Sequence, residues 1–531
     1  MAITLVALGF VLLCLICPQR IFKQHFQKFQ HFRAKLQNRW DYFFYCLKGD
    51  LHSRPRFIIL LAAFCKLIKF PAYLAGIQII CQVIGQAFSV PLTLFQVLSQ
   101  HWLGIALVIP TALFDILQHL TNKNSANHTI IGIKQSAYGD VVPPDGWQSI
   151  VFLPKANDEI ATTDWKEKPI IVNKAVNDWL LNGNDVALKY DRHYSQRIKD
   201  KLWDDEQWIG LYKPFLKSNY LLSLYSGKQF YNESKFGISQ ELYPDMESVK
   251  IHKTCYYDFY LTNTIPGRVL YERINTRHSI ETNDIMPFDE QRQLLKLGDY
   301  TAANEVGVTT LFLTQGKIIL WRQNLYTQSS ENKIAPSGSG SMDWDDCVPY
   351  LPTDSSAGDS NGFRKAIVYG MQRELWEECN GSRKITEHDF MEKVETVIIG
   401  YFRWLQKAGT PEFIGVTRVR DGVDLDRDFH LRIESMQPES TEIEDEENLT
   451  VKSIGQFLDR FPLKAVASQT FQIEDCSVPY AAAALRLREL CDDYCRTCSK
   501  KVENCHEHCA VKLEDAVFSG RTVIRVSHPK A

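Results

Sequence analysis

Residues 362–381 read GFRKAIVYGMQRELWEECNG, and this stretch predicts the element around which the chain is organised. Ile367, Met371 and Leu375 are spaced by four and predict a helix with a buried apolar stripe. On that helix Glu374, Glu377 and Glu378 fall at positions i, i+3 and i+4, so their carboxylates share one face. Three like charges repel each other, and a hard divalent cation among the oxygens would make the arrangement favourable. The alternative is a solvated acidic face on a surface helix.

The residues on either side predict a sheet around this helix. Gly370 costs about 1 kcal/mol relative to alanine inside a helix, which predicts close packing against a strand. A β-hairpin is predicted at 308–314 and 317–322, followed by a glycine loop at 335–343 (APSGSGSMD) and an acidic loop at 345–360. A second pair of strands is predicted at 396–404 and 413–419.

The fold class predicted from these patterns is α/β, with several domains in a chain of 531 residues. Residues 119–146 are polar and read as a linker, residues 147–303 as a mixed α/β domain, and residues 304–475 as the domain that holds the central helix. Within 147–303 a helix is predicted at 175–181. Strands are predicted there at 149–153, 170–172, 220–225 and 255–261.

Residues 476–531 are predicted to form a C-terminal helix and a strand. The cysteines of this segment are spaced by threes and fours, which places them on one buried seam of a helix. A zinc or redox site is the alternative, because a histidine lies among them. The residues concerned are Cys491, Cys495, Cys498, Cys505, His508 and Cys509.

Residues 1–118 are predicted to be a transmembrane region, because charge and hydropathy are distributed unevenly along the chain. Residues 1–120 carry eleven Lys/Arg against three Asp/Glu, and the remainder carries 49 against 60. The acidic remainder argues against binding of polymeric nucleic acid. Membrane helices are predicted near 3–18, 70–90 and 94–117, with a basic, aromatic loop at 19–56.

The basic loop predicts that the membrane hairpin's tip lies outside and everything after Asp115 inside. The first apolar segment lacks the positive start and cleavage site of a signal peptide, so removal is not expected. Fourteen scattered cysteines also favour reduced thiols in a cytosol. A buried core hairpin in place of the spans, and an amphipathic helix packed on protein in place of the basic loop, are the alternatives.

The central helix and its glycine loop resemble a Nudix domain. The box of that family is G-x5-E-x7-R-E-U-x-E-E-x-G-U, with U aliphatic, and residues 373–378 match its R-E-U-x-E-E portion. The glycine loop resembles the family's Pro-Gly-Gly turn, which puts Gly338 or Gly340 at the box glycine. The resemblance covers about 304–475 and implies a Nudix-like α/β/α sandwich, a bound Mg²⁺ or Mn²⁺, and hydrolysis of a nucleoside diphosphate linked to another group.

Three departures from the box bear on activity. Lys365 stands at the first box glutamate, Asn380 stands at the late glycine, and about fifteen extra residues separate the glycine loop from the helix. Asparagine is the next-best residue for a left-handed helix stop. Lysine in place of a carboxylate weakens the expectation of ordinary turnover and leaves the metal site in place.

Membrane helices followed by such a domain are similar to the Nudix-domain effectors of bacterial CBASS antiphage systems. This resemblance also rests on the loops at 336–343 and 409–415 (GTPEFIG). It implies a protein of the bacterial inner membrane with cytoplasmic soluble domains. It further implies a cyclic oligonucleotide or other nucleotide ligand, the lipid bilayer as a partner, and homo-oligomers on activation.

Two hypotheses of function follow, and a third is that the site is vestigial and the soluble part of the chain only mediates assembly. In the first, the Nudix-like domain senses a cyclic oligonucleotide and the membrane helices disrupt the bilayer. In the second, the chain is a membrane-tethered Nudix hydrolase, so whether it is an enzyme stays open. Arg373 is expected to be a structural ion-pair partner. The site residues are Glu374, Glu377 and Glu378 for the metal, Glu374 for catalysis, and Gly338, Gly340 and Glu412 for the substrate.

Overall fold

The structure is a computed structural model, and the residues it describes fall in two compact units. The first unit comprises residues 1–131, 203–232 and 271–278, and the second comprises 132–202, 233–270 and 279–531. The described residues are 42, 134–135, 141–154, 168–204, 213–226, 230, 232–271, 279–282, 285–314, 317–322, 334–351, 362–379, 385–421, 423, 452–453, 470–473, 477–497, 517–518, 521 and 523–526.

The described residues form an α/β fold with mixed sheets. The strands are β1 (Lys134–Gln135), β2 (Gln148–Pro154), β3 (Lys168–Val172), β4 (Ala187–Tyr190), β5 (Ser234–Ile238), β6 (Ser248–Cys255), β7 (Arg268–Tyr271), β8 (Ser279–Glu281), β9 (Gly307–Thr314), β10 (Lys317–Ile319), β11 (Trp321–Arg322), β12 (Ile334–Ala335), β13 (Gly338–Ser341), β14 (Val394–Trp404), β15 (Thr410–Val419), β16 (Lys452–Ser453) and β17 (Thr470–Ile473).

The helices connect and cover these strands. They are α1 (Lys174–Asn182), α2 (Arg192–Asp204), α3 (Lys213–Ser226), α4 (Tyr256–Phe259), α5 (Trp344–Cys347), α6 (Phe363–Cys379), α7 (Glu387–Lys393) and α8 (Val478–Thr497). A π-helical turn, Tyr260–Thr264, continues α4, and 3₁₀ turns lie at Val348–Tyr350 and Leu405–Lys407.

One nine-stranded sheet is the framework of the second unit. Its order is β16-β10-β9-β15-β14-β3-β2-β17, with β13 paired to β9 beside β10. β9 and β15 run parallel, and so do β2 and β17, whereas the other pairs are antiparallel. The sheet therefore crosses the boundary predicted at 303/304, because β2 and β3 reach β14 through the pairing of Ile170 with Trp404.

Helices pack on both faces of this sheet because its strands alternate two sets of apolar side chains. Val308 and Phe413 belong to the core that α6 completes with Ile367 and Met371. Leu311, Ile414 and Val416 belong to a second core that α8 completes. The helix α1 packs beside α6, where the guanidinium of Arg364 donates to the carbonyls of Leu180 and Gly183.

A smaller sheet, β4-β6-β5, continues from the framework through β5. The N–H of Phe236 donates to the Met342 carbonyl at 3.1 Å, and the N–H of Val306 donates to the Phe236 carbonyl at 2.9 Å. These bonds place β5 across the ends of β9 and β13. Residues that lie far apart in the chain, 234–238 and 338–343, therefore meet at one edge.

Several of the predicted elements are confirmed. The helix α6 spans the central stretch, and α1, α8, β2, β3, β14 and β15 lie where helices and strands were predicted. The predicted hairpin forms between β9 and β10, but its second strand breaks, and β11 pairs with β12 instead.

Three predictions are wrong. Residues 220–225 lie in α3, and residues 256–264 form α4 and the π-helical turn, although both stretches are rich in aromatic residues that favour strands. The glycine loop contains strand β13, because glycine and serine allow its backbone to pair with β9 directly beneath α6.

The predicted membrane segments, 3–18, 70–90 and 94–117 with the loop 19–56, lie outside the described residues and stay predictions. Among the residues that the structure does describe, no helix is long and apolar enough to span a bilayer. Cys491 and Cys495 lie in α8, as the helical seam predicted, whereas Cys498, Cys505, His508 and Cys509 lie outside the described ranges.

Candidate functional site

The helix α6 is fixed to the sheet by its apolar stripe. Ile367, Met371 and Leu375 are each fully buried, which confirms the predicted stripe. A Cβ added to Gly370 would lie 2.9 Å from Cγ of Met342, the residue that follows β13. The close packing predicted from this glycine is therefore present. This contact fixes the distance between α6 and the sheet, and with it the position of the α6 glutamates.

The structure brings Glu374 and Glu378 against strand β13. A Cβ on Gly340 would overlap the carboxylate of Glu374, and one on Gly338 would lie 2.6 Å from the Cα of Leu375. The backbone N–H of Ser339 donates to Oε2 of Glu378 at 3.2 Å. Glycine is needed at 338 and 340 because any side chain would push α6 or its carboxylate away.

Burial changes the acidity of these two glutamates. It raises the pKa of Glu374 to about 7, a shift that Arg373 opposes and Glu377 increases. Burial also raises the pKa of Glu378 well above its ordinary value, and the charge of Glu374 adds to that shift. A positive ligand beside the pair would be stabilised by both carboxylates.

Glu377 has a different environment from its two neighbours. Its side chain is 49% exposed, and Oε1 accepts from Nη1 of Arg373 at 3.0 Å. Lys365 is exposed as well, and it lies nine residues, or two and a half turns, before Glu374. It therefore projects from the opposite side of α6 and does not approach the carboxylates.

Arg373 joins the helix to the loop after β13, the ion-pair role that the sequence predicted. Its Nε and Nη2 donate to the two oxygens of Asp346 at 2.8 and 3.0 Å. Nη2 also lies 2.9 Å from Glu374 Oε1 and 3.6 Å from Asp343 Oδ2. The guanidinium is buried and offsets much of the negative charge around it.

Lys235 of β5 is a second internal cation, and the sequence patterns did not single it out. Nζ lies 2.6 Å from Asp343 Oδ1 and 3.2 Å from Glu233 Oε2. Burial raises the pKa of the nearby Glu305 to about 7, and the charge of Lys235 opposes this shift. The preference of lysine for carboxylates gives no signal in sequence, because the pairing depends on how β5 crosses the sheet edge.

Glu412 lies on the other face of the sheet from Glu374. It pairs with Gly307 across β15 and β9, and its carboxylate fills the space that a Cβ of Gly307 would occupy. Its neighbours Phe413 and Ile414 face the α6 core and the α8 core respectively. Strand alternation therefore points Glu412 toward the α8 side, where Nζ of Lys407 is 3.4 Å from Oε1. Its role in substrate binding stays a prediction.

An acidic cleft of about 460 Å³ opens beside Arg373. It is bounded by the loop after β13, by α6 and by the start of β5. A ligand of nucleotide size could enter it only with cations, because acidic residues outnumber the single arginine. The lining residues are Glu233, Ser234, Asp343, Asp345, Asp346, Tyr369, Arg373 and Glu387.

The donor chemistry suits a hard cation at Glu374 and Glu378, since both are buried carboxylates with raised pKa beside a glycine strand. Across the described ranges, however, no three acidic, histidine or cysteine side chains stand close enough together to form a metal site. Glu374 and Glu378 would therefore hold Mg²⁺ or Mn²⁺ as a pair. The third ligand expected from the sequence, Glu377, stays a prediction.

Comparison with known proteins adds no relative. No protein-family model matches the sequence, and no curated protein is significantly similar to it.

Proposed function

We propose that this chain is a nucleotide-sensing membrane effector of a bacterial CBASS antiphage system. In this proposal the sheet around β9, β13, β14 and β15, with α6 on one face and α8 on the other, is a Nudix-like α/β/α sandwich. It binds a cyclic oligonucleotide on the cytoplasmic side, and the N-terminal segments then disrupt the inner membrane. The observation that carries the proposal is the placement of Glu374 and Glu378 against the Gly338–Ser341 strand.

This placement supports recognition of phosphate through a metal ion. A bound Mg²⁺ or Mn²⁺ would neutralise phosphate charge beside the two carboxylates. Gly338 and Gly340 let α6 approach the strand closely, which brings the Glu374 carboxylate against its backbone. Arg373 holds the loop that carries Asp343 and Asp346 against α6, and it lines the cleft beside them.

Binding without turnover is supported by the charges around α6. Glu377 is held in an ion pair with Arg373, and Lys365 stands where the family's box has a carboxylate. Both features reduce the acidic groups free to act on an attacking water. The charge-free run from Phe70 to Phe114 supports an action on the membrane, since it is long enough for two spans of about 20 residues.

Dye release from liposomes tests the proposal. The full chain is reconstituted in vesicles of bacterial phospholipid and exposed to a panel of cyclic dinucleotides with Mg²⁺. Release that depends on one nucleotide, and that Glu378→Gln abolishes, is the expected result. Lys174→Met, which removes an exposed lysine from α1, serves as the matched control. Vesicles that stay intact with every nucleotide, across the protein-to-lipid ratios tested, would reject the proposal.

The second candidate is a membrane-tethered Nudix hydrolase that cleaves a nucleoside diphosphate linked to another group. The specific observation in its favour is the pKa of Glu374, which burial raises to about 7, close to the value that suits a general base. In this reading Glu374 takes a proton from the attacking water. Incubation of the full chain with such nucleotides and Mg²⁺ should then release products, and Glu374→Gln should stop this. Turnover that survives Glu377→Gln unchanged would count against a three-glutamate metal site.

A further inference from the structure

Three threonine hydroxyls form a hydrogen-bonded row beneath α6. The row consists of Thr310 of β9, Thr417 of β15 and Thr396 of β14, and all three side chains are fully buried. Oγ1 of Thr417 lies 2.7 Å from Oγ1 of Thr310 and 2.8 Å from Oγ1 of Thr396. Threonine is mostly exposed in proteins, and valine would fill the same space without a polar group to satisfy. The hydroxyls therefore call for a reason other than apolar packing.

Gln372 connects α6 to this hydroxyl row. Its Nε2 donates to Oγ1 of Thr396 at 2.9 Å, and its side chain is fully buried. Because Thr396 accepts from the amide, it can donate its own proton to Thr417, which can donate to Thr310 in turn. Hydrogen bonds that follow one another in the same direction strengthen each other. The helix is thus tied to three strands by one continuous chain of hydrogen bonds.

Stability alone does not account for an amide at position 372. Oε1 of Gln372 is buried and has no hydrogen-bond partner among the residues that the structure describes. A buried polar atom without a partner is costly, and an unbranched apolar side chain at this position would avoid that cost. What an apolar side chain could not supply is the direction that the bond to Thr396 gives to the helix.

Gln372 and Glu374 lie on opposite flanks of α6. Residues two positions apart are separated by about 200° around a helix. The contacts agree, since Glu374 lies against Gly340 of β13 and Gln372 lies against Thr396 of β14. Rotation of α6 about its axis by about 10° would move a carboxylate by about 1 Å, because side chains lie about 5 to 6 Å from the axis. A bond on one flank therefore fixes the position of the carboxylate on the other.

We propose that Gln372 is a positioning residue for the metal pair Glu374 and Glu378, and that the hydroxyl row is the anchor against which it sets the rotation of α6. This role rests on the proposed function, because it concerns the same two carboxylates. Gln372 itself contacts neither the metal nor the ligand. Without its bond α6 can rotate, and the two carboxylates hold the arrangement that binds a cation for less of the time.

Mn²⁺ binding to the full chain in detergent tests this role, measured from the free-ion signal in electron paramagnetic resonance beside the melting temperature of each variant. Gln372→Met keeps the length of the side chain and removes both the bond and the unpartnered oxygen. It should weaken Mn²⁺ binding by about tenfold, the lower end of the effect of residues that orient metal ligands. Its melting temperature should change little, because the lost bond and the removed unpartnered oxygen offset each other.

Thr309→Val is the matched control. Thr309 is a buried threonine next to Thr310, and its hydroxyl has no hydrogen-bond partner in the described part of the chain. Val308 faces the α6 core and Leu311 faces the α8 core, so strand alternation points Thr309 toward α8. The substitution removes a buried hydroxyl from the same strand and should leave Mn²⁺ affinity unchanged.

A double variant separates positioning from stability. Gln372→Met combined with Thr396→Val replaces both partners by apolar groups of similar shape, so any stability that Gln372→Met loses should return. Mn²⁺ affinity should stay low, because the directed bond is still absent. Mn²⁺ affinity that returns together with stability, or that is unchanged in Gln372→Met, would overturn the positioning role.

Glu378→Gln distinguishes the positioning role from the proposed function. Mn²⁺ binding that Glu378→Gln removes and Gln372→Met leaves unchanged would reject the positioning role alone. Wild-type protein that binds no Mn²⁺ through Glu378 would reject the metal pair itself, on which both the proposed function and the positioning role depend.

Discussion

At the scale of single residues, Arg373 is a buried cation that pairs with several carboxylates around the site. Its buried guanidinium makes two parallel bonds to Asp346 and contacts Glu374 and Glu377. Arg373→Met removes the cation that these carboxylates share and should lower the free energy of unfolding by about 3 to 5 kcal/mol. Arg373→Lys keeps the charge but not the paired geometry, so an intermediate loss is expected.

Urea unfolding of the purified full chain measures both variants. Lys174→Met breaks an exposed pair with Asp178 and should change stability by less than about 1 kcal/mol. A loss in Arg373→Met no larger than in this control would show that the ion-pair cluster contributes nothing.

His252 makes stability depend on pH. It is fully buried beside Tyr194, and its Nε2 lies 2.8 Å from the Ala303 carbonyl. Burial lowers the pKa of His252 to about 4. Because the unfolded chain binds this proton near pH 6.5 and the folded chain does not, stability should fall as pH drops from about 6.5 toward about 4. The difference approaches about 3 kcal/mol.

The comparison of wild type with His252→Gln isolates this contribution from that of other titrating groups. Gln can still donate to Ala303 and carries no proton equilibrium. The wild type should therefore lose stability relative to His252→Gln as the pH falls from 7.5 to 4.5. The difference between their urea midpoints should narrow or change sign. A gap that stays constant over this range would show that His252 is not held neutral.

At the scale of elements, strand β13 has two glycines that serve different purposes. Gly338→Ala pushes a Cβ against the backbone of α6 at Leu375, which cannot move independently of the helix. It should lower the melting temperature of the full chain. Gly340→Ala pushes only against the carboxylate of Glu374, which can turn aside. It should lower the melting temperature less than Gly338→Ala does, and it should weaken Mn²⁺ binding.

Each variant is the control for the other, because the two glycines lie two residues apart on the same face of one strand. Thermal unfolding and Mn²⁺ binding are measured on both. Equal effects on stability, or unchanged Mn²⁺ binding in Gly340→Ala, would contradict the arrangement of Glu374 over β13.

Local patterns predicted the elements better than the contacts between them. The spacing of Ile367, Met371 and Leu375 contains the information for α6, since a helix that buries one stripe follows from periodicity alone. Residues 255–261 were predicted to be a strand, and their aromatic residues favour strands. Packing overrides that preference and buries Tyr257 and Leu261 on a helix. Strand β13 was missed for the opposite reason, because glycine and serine have little preference for strands.

Some residues of the candidate site could be predicted from local patterns, and others could not. Gly340, Glu374 and Glu378 were predicted to act together, and the structure places them together, since the link between loop and helix is local. Lys235 and Glu305 could not be predicted, because their positions depend on how β5 crosses the ends of two other strands. Glu412 was assigned to the substrate, and the register of β15 places it on the other face of the sheet from Glu374; its role stays a prediction.

At the scale of the whole molecule, the nine-stranded sheet includes strands from both sides of the boundary predicted at 303/304. Strands β2 and β3 and helix α1 come from before residue 304, and Ile150, Phe152 and Ile170 are nearly or fully buried in the core beneath α8. Each such side chain contributes roughly 1.5 to 3 kcal/mol. This sum is comparable to the total stability of a domain.

We therefore expect a protein beginning at Gly132 to unfold cooperatively on heating and one beginning at Asn304 to lack a cooperative transition. Differential scanning calorimetry of the two truncated proteins measures this. Ile170→Ala in the longer protein removes only part of the core contact of β3. It should lower the free energy of unfolding by about 2 to 5 kcal/mol without abolishing the transition. A cooperative transition at a similar temperature in the shorter protein would mean that β14 does not need β3 beside it, and that the strands after residue 304 form a self-sufficient domain.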